Sequence, residues 1–317
     1  MQTKRVVVIG MGFGGVRAAR ALAGSGLDVL LIDRNNYHLF QPLLYQVASA
    51  GLEQESIAYS IRAMARQWPN VRFHLTEVTG VDFNAREVQT TTGPVSYDYL
   101  IIGAGSATNF FGLTTVQQHS YDLKELEDAE VLRNQILNCF EQAVIEPDPA
   151  RKRALMTFVI VGGGPTGVEF AGALIELVTY VLAKDYPELG IHTARVVLVE
   201  ATDRLLAAMP QELGMYTLQK LRSMCVEVLL NAQVVDADDT RVVLHDGAVI
   251  PAHTLIWSAG VKAAPLAAAL AVPHAGGGRI PVQPDLTLAD HPEVYVVGDM
   301  AWLEQEGKIL PMVAPVA

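Results

Sequence analysis

The chain has 317 residues, about twice the length of an average domain, so two domains are expected. Apolar residues make up 50% and charged residues 18%, which is typical of a globular protein and excludes a disordered one. Because 34 acidic residues outnumber 23 basic ones, the net charge of -11 would repel nucleic-acid phosphates. The composition therefore excludes nucleic acid as a partner.

The cysteines and histidines predict no metal site. Cys139 and Cys225 are too far apart for a CxxC motif and too few for a four-cysteine site, so both are interpreted as small buried residues. The eight histidines show no zinc-type spacing.

No apolar run is expected to reach the length of a membrane span, and the strand pattern near the N-terminus leaves no room for a signal peptide. A cytoplasmic location is predicted.

The first clear element is a strand, turn and helix near the N-terminus. The apolar run Val6–Ile9 predicts a parallel strand buried on both faces, and it ends in a turn that contains Gly10, Gly12 and Gly15. A helix over Val16–Ala23 and a second strand over Asp28–Ile32 follow, and Asp33 ends that strand. The sequence predicts a βαβ unit.

A second βαβ unit is predicted in the middle of the chain. Its strand covers Phe158–Val161, its turn contains Gly162, Gly164 and Gly167, and its helix covers Val168–Val181. The next strand, Arg195–Val199, ends at Glu200, 38 positions after Gly162 rather than the usual ~20. An inserted loop, Ala183–Thr193, explains the longer spacing.

The remaining pattern predicts five more strands, one long amphipathic helix and a segment that returns the chain to the first domain. The strands are Phe73–Val81, Glu87–Thr92, Tyr99–Ile102, Thr254–Trp257 and Val294–Val297, the helix is Asp122–Val144, and the returning segment is Ala263–Gly278.

The two glycine turns predict two dinucleotide sites. In G-x-G-x-x-G, the first glycine permits the turn, the second lets a pyrophosphate approach the helix N-terminus, and the third lets the helix pack on the strand. An acidic residue after the next strand binds ribose hydroxyls, a role that fits Asp33 and Glu200. Glu200 is expected to favour NADH over NADPH, because a carboxylate repels the 2′-phosphate of NADPH. The positive charge of Arg204 is expected to reduce this preference. One such turn is a weak signal, whereas two in register are strong.

These residues resemble the two-dinucleotide flavoprotein oxidoreductases, and most of all the type II NADH dehydrogenases, which are single-subunit NADH:quinone oxidoreductases. The resemblance spans the chain and is carried by Gly10–Gly15, Asp33–Gln46, Gly103–Gly105, Gly162–Glu169 and Gly298–Asp299. It implies an α/β fold with two Rossmann-like dinucleotide-binding domains, in which the NADH domain is inserted into the FAD domain. The implied bounds are 1–112 with 266–317 for FAD and 113–265 for NADH.

The resemblance also implies the site residues. FAD binds the first glycine turn, Asp33 and Asp299, and NADH binds the second turn and Glu200. Catalytic roles fall on Glu169, Gln41 and Tyr45. Two of these residues have ordinary alternatives, since Glu169 could only complement a helix dipole and Asp299 could only cap a helix. The full cofactor-binding set is Gly10, Gly12, Phe13, Gly14, Gly15, Asp33, Arg34, Gln41, Val78, Ala104, Gly105, Asp299, Gly162, Gly164, Gly167, Glu169, Glu200, Ala259 and Gly260.

The segment Gln41–Gln46 indicates the electron acceptor. In related disulfide reductases this region holds two cysteines that accept electrons from the flavin, and here it holds none. Its apolar side chains suit a lipophilic quinone of the menaquinone or ubiquinone class. The resemblance therefore implies ping-pong oxidation of NADH by a quinone, without proton pumping. A sulfide:quinone reductase and a redox sensor that binds FAD and NADH without turnover remain as alternatives.

Members of this family continue into a C-terminal segment that lies on the membrane surface, and the chain is expected to lack it. A longer form is expected to be a peripheral protein on the cytoplasmic face of the inner membrane. The sequence leaves open whether the protein is a monomer or a homodimer.

Overall fold

The computed structural model describes residues 3–190 and 194–316. The nine helices assigned within these residues are α1 (Phe13–Leu22), α2 (Leu44–Ala48), α3 (Ile61–Ala65), α4 (Thr114–His119), α5 (Leu126–Ile145), α6 (Pro149–Leu155), α7 (Pro165–Leu177), α8 (Ala183–Asp185) and α9 (Gln211–Ser223). The strands are β1 (Arg5–Ile9), β2 (Asp28–Asp33), β3 (Tyr37–Leu39), β4 (Ala58–Ser60), β5 (Val71–Leu75), β6 (Val78–Asp82), β7 (Glu87–Thr90), β8 (Val95–Ser96), β9 (Tyr99–Ile102), β10 (Ser106–Thr108), β11 (Thr157–Val161), β12 (Arg195–Val199), β13 (Glu227–Leu229), β14 (Val234–Asp238), β15 (Arg241–Leu244), β16 (Val249–Pro251), β17 (Thr254–Trp257), β18 (Val261–Ala263), β19 (Ile280–Pro281), β20 (Thr287–Leu288), β21 (His291–Val296), β22 (Ala301–Trp302), β23 (Glu304–Gln305) and β24 (Lys308–Ile309).

The contacts divide the chain into two units, each built from separate stretches of sequence. The first unit contains Met1–Leu39, Ala58–Ala107 and Val261–Ala317, and the second contains Phe40–Ile57 and Thr108–Gly260. The second unit therefore interrupts the first in two places, whereas the sequence suggested one insertion. The chain returns to the first unit at residue 261, two residues before the start of the segment Ala263–Gly278 that was predicted to make this return.

The first unit is built on a six-stranded sheet in the order β20-β21-β9-β1-β2-β5. All neighbours are parallel except β20, which is antiparallel to β21. The apolar run in β1 lies at the centre, and Val7 and Val8 are fully buried because helices and loops cover both faces. The first βαβ unit is confirmed, with α1 beginning three residues before the predicted helix.

The second unit has a four-stranded parallel sheet in the order β13-β12-β11-β17. Its central strand β11 is entirely buried, and α7 leads from β11 towards β12 as the second predicted βαβ unit requires. A three-stranded antiparallel sheet, β14-β15-β16, also lies in this unit. The parallel sheet and its βαβ unit confirm the α/β class.

The segment Phe40–Ile57 groups with the second unit because its helix packs there. Leu44, Val47 and Ala48 on α2 are buried, and α2 contacts α5 and α7. Tertiary packing therefore places the segment in a unit whose other residues lie far away along the chain. The hydrophobic periodicity of the sequence does not indicate this packing.

Three predicted elements were wrong in detail. The predicted strand Phe73–Val81 is two strands, β5 and β6, which lie in different sheets because the chain leaves the first sheet at Thr76. The predicted helix Asp122–Val144 begins four residues later, since Glu125 and Asp128 form a capping box at its start. The predicted loop Ala183–Thr193 includes the helical residues of α8, and its last three residues lie outside the described part of the chain.

One helix corrects the expectation about membrane spans. Within the described residues, the continuous helical stretch Pro165–Asp185 has the length and apolar composition that could cross a membrane. It consists of α7, a π-helical turn over Val178–Leu182 and α8. Phe170, Ala171 and Leu174 are fully buried, and α7 packs against β11 and β12. The apolar character of α7 therefore has a structural role inside the second unit.

Only one cysteine is buried. Cys139 lies in the core at 1% exposure, whereas Cys225 is exposed with a φ of 68°. The interpretation of Cys225 as a buried residue was wrong because it occupies the left-handed position that ends α9, where its N–H bonds to the Arg222 carbonyl.

Candidate functional site: two glycine-rich turns

The first glycine-rich turn joins β1 to α1 and leaves one glycine facing open space. Gly10 has a φ of 87°, and a side chain there would collide with the Gly103 carbonyl. A side chain on Gly15 would collide with the Gly10 carbonyl. At Gly12, no heavy atom of the described residues lies within 4 Å of where a Cβ would stand. The turn therefore keeps a clear approach for a phosphate group at the N-terminus of α1.

The second glycine-rich turn repeats this arrangement between β11 and α7. Gly162 has a φ of 112°, and a Cβ there would lie 2.9 Å from the backbone nitrogen of Ala259. A side chain on Gly167 would collide with the Gly162 carbonyl. Gly164, like Gly12, has no described heavy atom within 4 Å of its Cβ position. Each predicted turn thus has two glycines required by packing and one left open to a ligand.

Asp33 is the last residue of β2, the strand that follows α1, and it bonds directly to the first turn. Its Oδ2 accepts a hydrogen bond from the Met11 N–H at 2.6 Å, and its Oδ1 accepts one from the Asn35 N–H at 2.8 Å. Burial raises the pKa of the Asp33 carboxyl, although these hydrogen bonds favour the ionised form. A carboxylate has about four lone-pair sites, so Asp33 retains capacity to accept from ribose hydroxyls.

Glu200 has the same relation to the second turn. Its Oε2 accepts a hydrogen bond from the Gly163 N–H at 2.6 Å. Its Oε1 accepts from both the N–H and the hydroxyl of Thr202, each at 2.7 Å. The guanidinium of Arg204 donates to the Ala207 carbonyl at 2.6 Å. The two acids therefore occupy equivalent positions, each bonded to the residue that follows the first glycine of its turn.

Asp299 lies in the first unit in a turn that begins with Gly298, whose φ is 67°. The Ser106 hydroxyl donates a hydrogen bond to Asp299 Oδ2 at 2.5 Å. Ser106 follows the Ala104-Gly105 turn after β9, so the structure brings together the two predicted sites at the ends of β9 and β21. Burial lowers the pKa of the Arg279 guanidinium, and the charge of Asp299 opposes that change.

Glu169 and Tyr45 lie on neighbouring helices of the second unit, α7 and α2. Glu169 is on the exposed side of α7, yet the protein around it removes enough water to raise the pKa of its carboxyl. The Tyr45 hydroxyl accepts a hydrogen bond from Gln46 Nε2 at 3.0 Å. Gln41 begins the short 3-10 turn that precedes α2.

The other predicted cofactor-binding residues lie at the ends of strands or at the start of a helix. Ala259 and Gly260 follow β17, and Gly260 has a φ of 71° with the Phe111 ring beside it. In the first unit, Phe13 and Gly14 begin α1, Arg34 follows β2 and Val78 begins β6.

Sequence reasoning missed two groups that hold the turns. The buried His38 imidazole contacts the first turn at the Met11 carbonyl, and the Leu206 N–H donates to the Gly163 carbonyl in the second. His38 lies inside the run Asp33–Gln46 that carries the family resemblance, but no spacing rule indicates its contact.

Comparisons with known proteins identify the family. Residues 4–317 match the family described as pyridine nucleotide-disulphide oxidoreductase. Two relatives from Mycobacterium tuberculosis are named type II NADH:quinone oxidoreductases: NdhA is 40% identical, with 94% of this chain and 66% of NdhA covered, and Ndh is 39% identical, with 95% and 67% covered. The chain belongs to the pyridine nucleotide-disulphide oxidoreductase family, in its type II NADH:quinone oxidoreductase branch.

A solved structure has the same fold. NDH2 from Plasmodium falciparum, solved in complex with NADH, superposes with a TM-score of 0.89 at 23% identity, covering 95% of this chain and 65% of that one. This chain spans about two thirds of the length of the Mycobacterium relatives. The predicted fold class and family resemblance are confirmed.

This oxidoreductase has no cysteine pair of the kind that the family's name describes. Its two cysteines lie on α5 and just after α9, and no disulfide forms in the described residues. Burial raises the pKa of the Cys139 thiol, so that thiol is held in its unreactive neutral form. The two cysteines of this sequence therefore do not form the disulphide pair that the family's name describes.

Proposed function

We propose that this protein is an FAD-dependent NADH:quinone oxidoreductase. The overall reaction is NADH + H⁺ + quinone → NAD⁺ + quinol, in which NADH loses a hydride and the quinone gains two electrons and two protons. The observation that carries the proposal is the pair of glycine-rich turns, each with one glycine open to a ligand and one acid bonded to the turn. Bound FAD would supply the two-electron chemistry that amino-acid side chains lack.

We assign FAD to the first unit. The residues present fit this cofactor: Gly12 leaves room for the pyrophosphate, Asp33 has lone pairs for ribose hydroxyls, and the Gly298-Asp299 turn adds a second polar contact. The N-terminus of α1 would stabilise the phosphate charge through its unpaired N–H groups. The remaining predicted residues of this unit, among them Ala104 and Gly105, would line the same cofactor.

We assign NADH to the second unit. Gly164 would let the NADH pyrophosphate approach the N-terminus of α7, and Glu200 would accept hydrogen bonds from the adenosine ribose. The Plasmodium falciparum structure contains NADH bound to a protein of the same fold, which supports this assignment. We propose that this domain comprises Thr108–Gly260 together with the segment Phe40–Ile57, as the contacts group them.

We propose that the quinone site includes the segment Gln41–Gln46. Its apolar residues suit a lipophilic acceptor, and Gln41 and Tyr45 offer an amide and a hydroxyl to the quinone oxygens. The relatives' names support a quinone as acceptor, including ubiquinone for the potato and Arabidopsis thaliana enzymes. Because such quinones partition into lipid, we propose that the protein works as a peripheral enzyme at the cytoplasmic face of the inner membrane.

Steady-state kinetics test this proposal. With FAD-loaded protein and a short-chain quinone, NADH oxidation should require quinone, and double-reciprocal lines at several quinone concentrations should be parallel, as in a ping-pong reaction. Sulfide in place of NADH is the control and should reduce no quinone. NADH oxidation that does not respond to quinone would contradict the proposed function, and quinone reduction by sulfide would favour the alternative enzyme class.

Glu169 is the group that we expect to orient the nicotinamide. Its carboxylate can only accept hydrogen bonds, and the nicotinamide carboxamide offers two N–H donors. Replacing Glu169 with Gln should lower kcat with NADH about 10-fold, which corresponds to about 1.4 kcal/mol of transition-state stabilisation. FAD content should not change, because Glu169 lies outside the unit assigned to FAD.

The pH profile gives a second test of Glu169. Burial raises the pKa of this carboxyl, so its ionised form is lost as the pH falls through that raised value. The wild-type rate should therefore fall on the acid side, and Glu169→Gln should lack that limb. Glu176→Gln on the same helix removes the same charge and serves as the control. An unchanged acid limb in Glu169→Gln would exclude this role.

A further inference from the structure

A buried histidine contacts the first glycine-rich turn at the same residue as Asp33. His38 lies on β3, is only 9% exposed, and places its Nδ1 2.7 Å from the Met11 carbonyl oxygen. A carbonyl oxygen can only accept a hydrogen bond, so Nδ1 must carry the proton and donate. The His38 ring also meets the Phe13 ring edge to face, with 5.4 Å between ring centres.

The Met11 residue is therefore fixed at both of its backbone groups. Its N–H donates to Asp33 at 2.6 Å, its carbonyl accepts from His38, and its side chain is 1% exposed. Met11 immediately precedes Gly12, the glycine that faces open space. The orientation of the peptide between them decides where the Gly12 N–H points, so the two hydrogen bonds set the geometry of the ligand side of the turn.

The second turn shows that this double restraint is a common requirement. Gly163 occupies the position that Met11 has in the first turn, and its N–H donates to Glu200 at 2.6 Å. Its carbonyl accepts a hydrogen bond from the backbone N–H of Leu206 at 2.8 Å. In both turns, a donor bonds to the carbonyl of the residue that follows the first glycine. Only in the first turn is this donor a side chain, so only there can a substitution remove it.

We propose that His38 is a positioning residue for FAD, which holds the Met11 carbonyl so that the turn presents the Gly12 N–H to the cofactor pyrophosphate. The inference rests on the assignment of FAD to the first unit. His38 itself need not touch the cofactor. Without its donor, the Met11 carbonyl would be left buried and unpaired, and the turn would relax towards another orientation.

Two substitutions at His38 separate the hydrogen bond from the packing. In His38→Asn, the side-chain Nδ2 stands close to the place of the imidazole Nδ1 and can still donate to Met11. In His38→Phe, the ring remains but the donor is lost. His291→Phe is the control, because His291 is another imidazole of the first unit in contact with an aromatic ring, stacked on Phe83 with 4.7 Å between ring centres.

FAD dissociation constants, from titration of the apoprotein by flavin fluorescence, give the primary result. His38→Phe should bind FAD about 10 to 100 times more weakly, whereas His38→Asn and His291→Phe should stay within about threefold of the wild type. The NADH dissociation constant should not change in any variant, since a backbone donor holds the second turn. Equal FAD binding by His38→Phe and the wild type, or equal weakening by Phe and Asn, would overturn the inference.

Two further results cover the cases in which His38→Phe does not fold or the wild-type protein does not bind FAD. If His38→Phe does not fold, ¹⁵N NMR of the wild-type protein should find a proton on Nδ1 of His38, and a proton on Nε2 alone would overturn the inference. A wild-type apoprotein that binds no FAD at all would instead contradict the proposed function, so the two failures are distinguishable.

Discussion

Replacing Gly164 with alanine is expected to weaken NADH binding at least about 100-fold, which is about 2.7 kcal/mol, while the fold and FAD binding are retained. The added Cβ meets no heavy atom of the described residues, and the φ of -73° at Gly164 suits any residue, so the free protein tolerates the change. The same Cβ would stand where the pyrophosphate must approach the N-terminus of α7. Titration with NADH and thermal unfolding of the same sample measure both effects.

Two other glycines of α7 serve as controls for Gly164→Ala. Gly172→Ala adds a Cβ into open space on the same helix, away from the turn, and should leave NADH affinity unchanged. Gly167→Ala would collide with the Gly162 carbonyl and should lower the melting temperature as well as NADH affinity. A Gly164→Ala protein that binds NADH as tightly as the wild type would show that the cofactor does not use this turn.

Replacing Glu200 with Gln is expected to lower the preference for NADH over NADPH about 10- to 100-fold. The Glu200 carboxylate would accept hydrogen bonds from the ribose 2′-hydroxyl and repel a 2′-phosphate, and the uncharged amide should lose most of that discrimination. Gln retains one oxygen to accept the bond from the Gly163 N–H, so the glycine turn should keep its shape, whereas the bond from the Thr202 N–H is lost. The measurement is kcat/KM for each nucleotide.

A neighbouring acid controls for long-range charge. Asp203→Asn removes the same charge from an exposed residue three positions away and should change the NADH to NADPH ratio less than about threefold. If Glu200→Gln leaves the ratio unchanged, or if both variants change it equally, Glu200 does not select the nucleotide by direct contact.

The sequence predicted the glycine turns well because their constraints are local. A continuous apolar strand, a glycine with positive φ and a following helix are all specified within about fifteen residues, and β1, β11 and β12 fall within one residue of their predicted bounds. The acids Asp33 and Glu200 were found for the same reason, since each follows a strand that pairs directly with the strand before its turn.

Features that depend on tertiary contacts were not predictable in this way. The packing of α2 against α5 and α7 places residues 40–57 in the second unit. The sequence of a short apolar helix does not indicate which other elements it will pack against. The His38 hydrogen bond to Met11 joins residues 27 positions apart. The break between β5 and β6 was not predicted because neither glycine nor proline separates the two strands, although the chain changes sheet there.

Anaerobic mixing of the FAD-loaded protein with NADH, followed by a short-chain quinone, tests the central claim most directly. The oxidised flavin absorbance should disappear within the time of mixing when about one equivalent of NADH is added, and it should return when quinone is added. Bleaching that quinone does not reverse would contradict the quinone half of the reaction, and a flavin that NADH does not bleach would contradict the proposed function altogether.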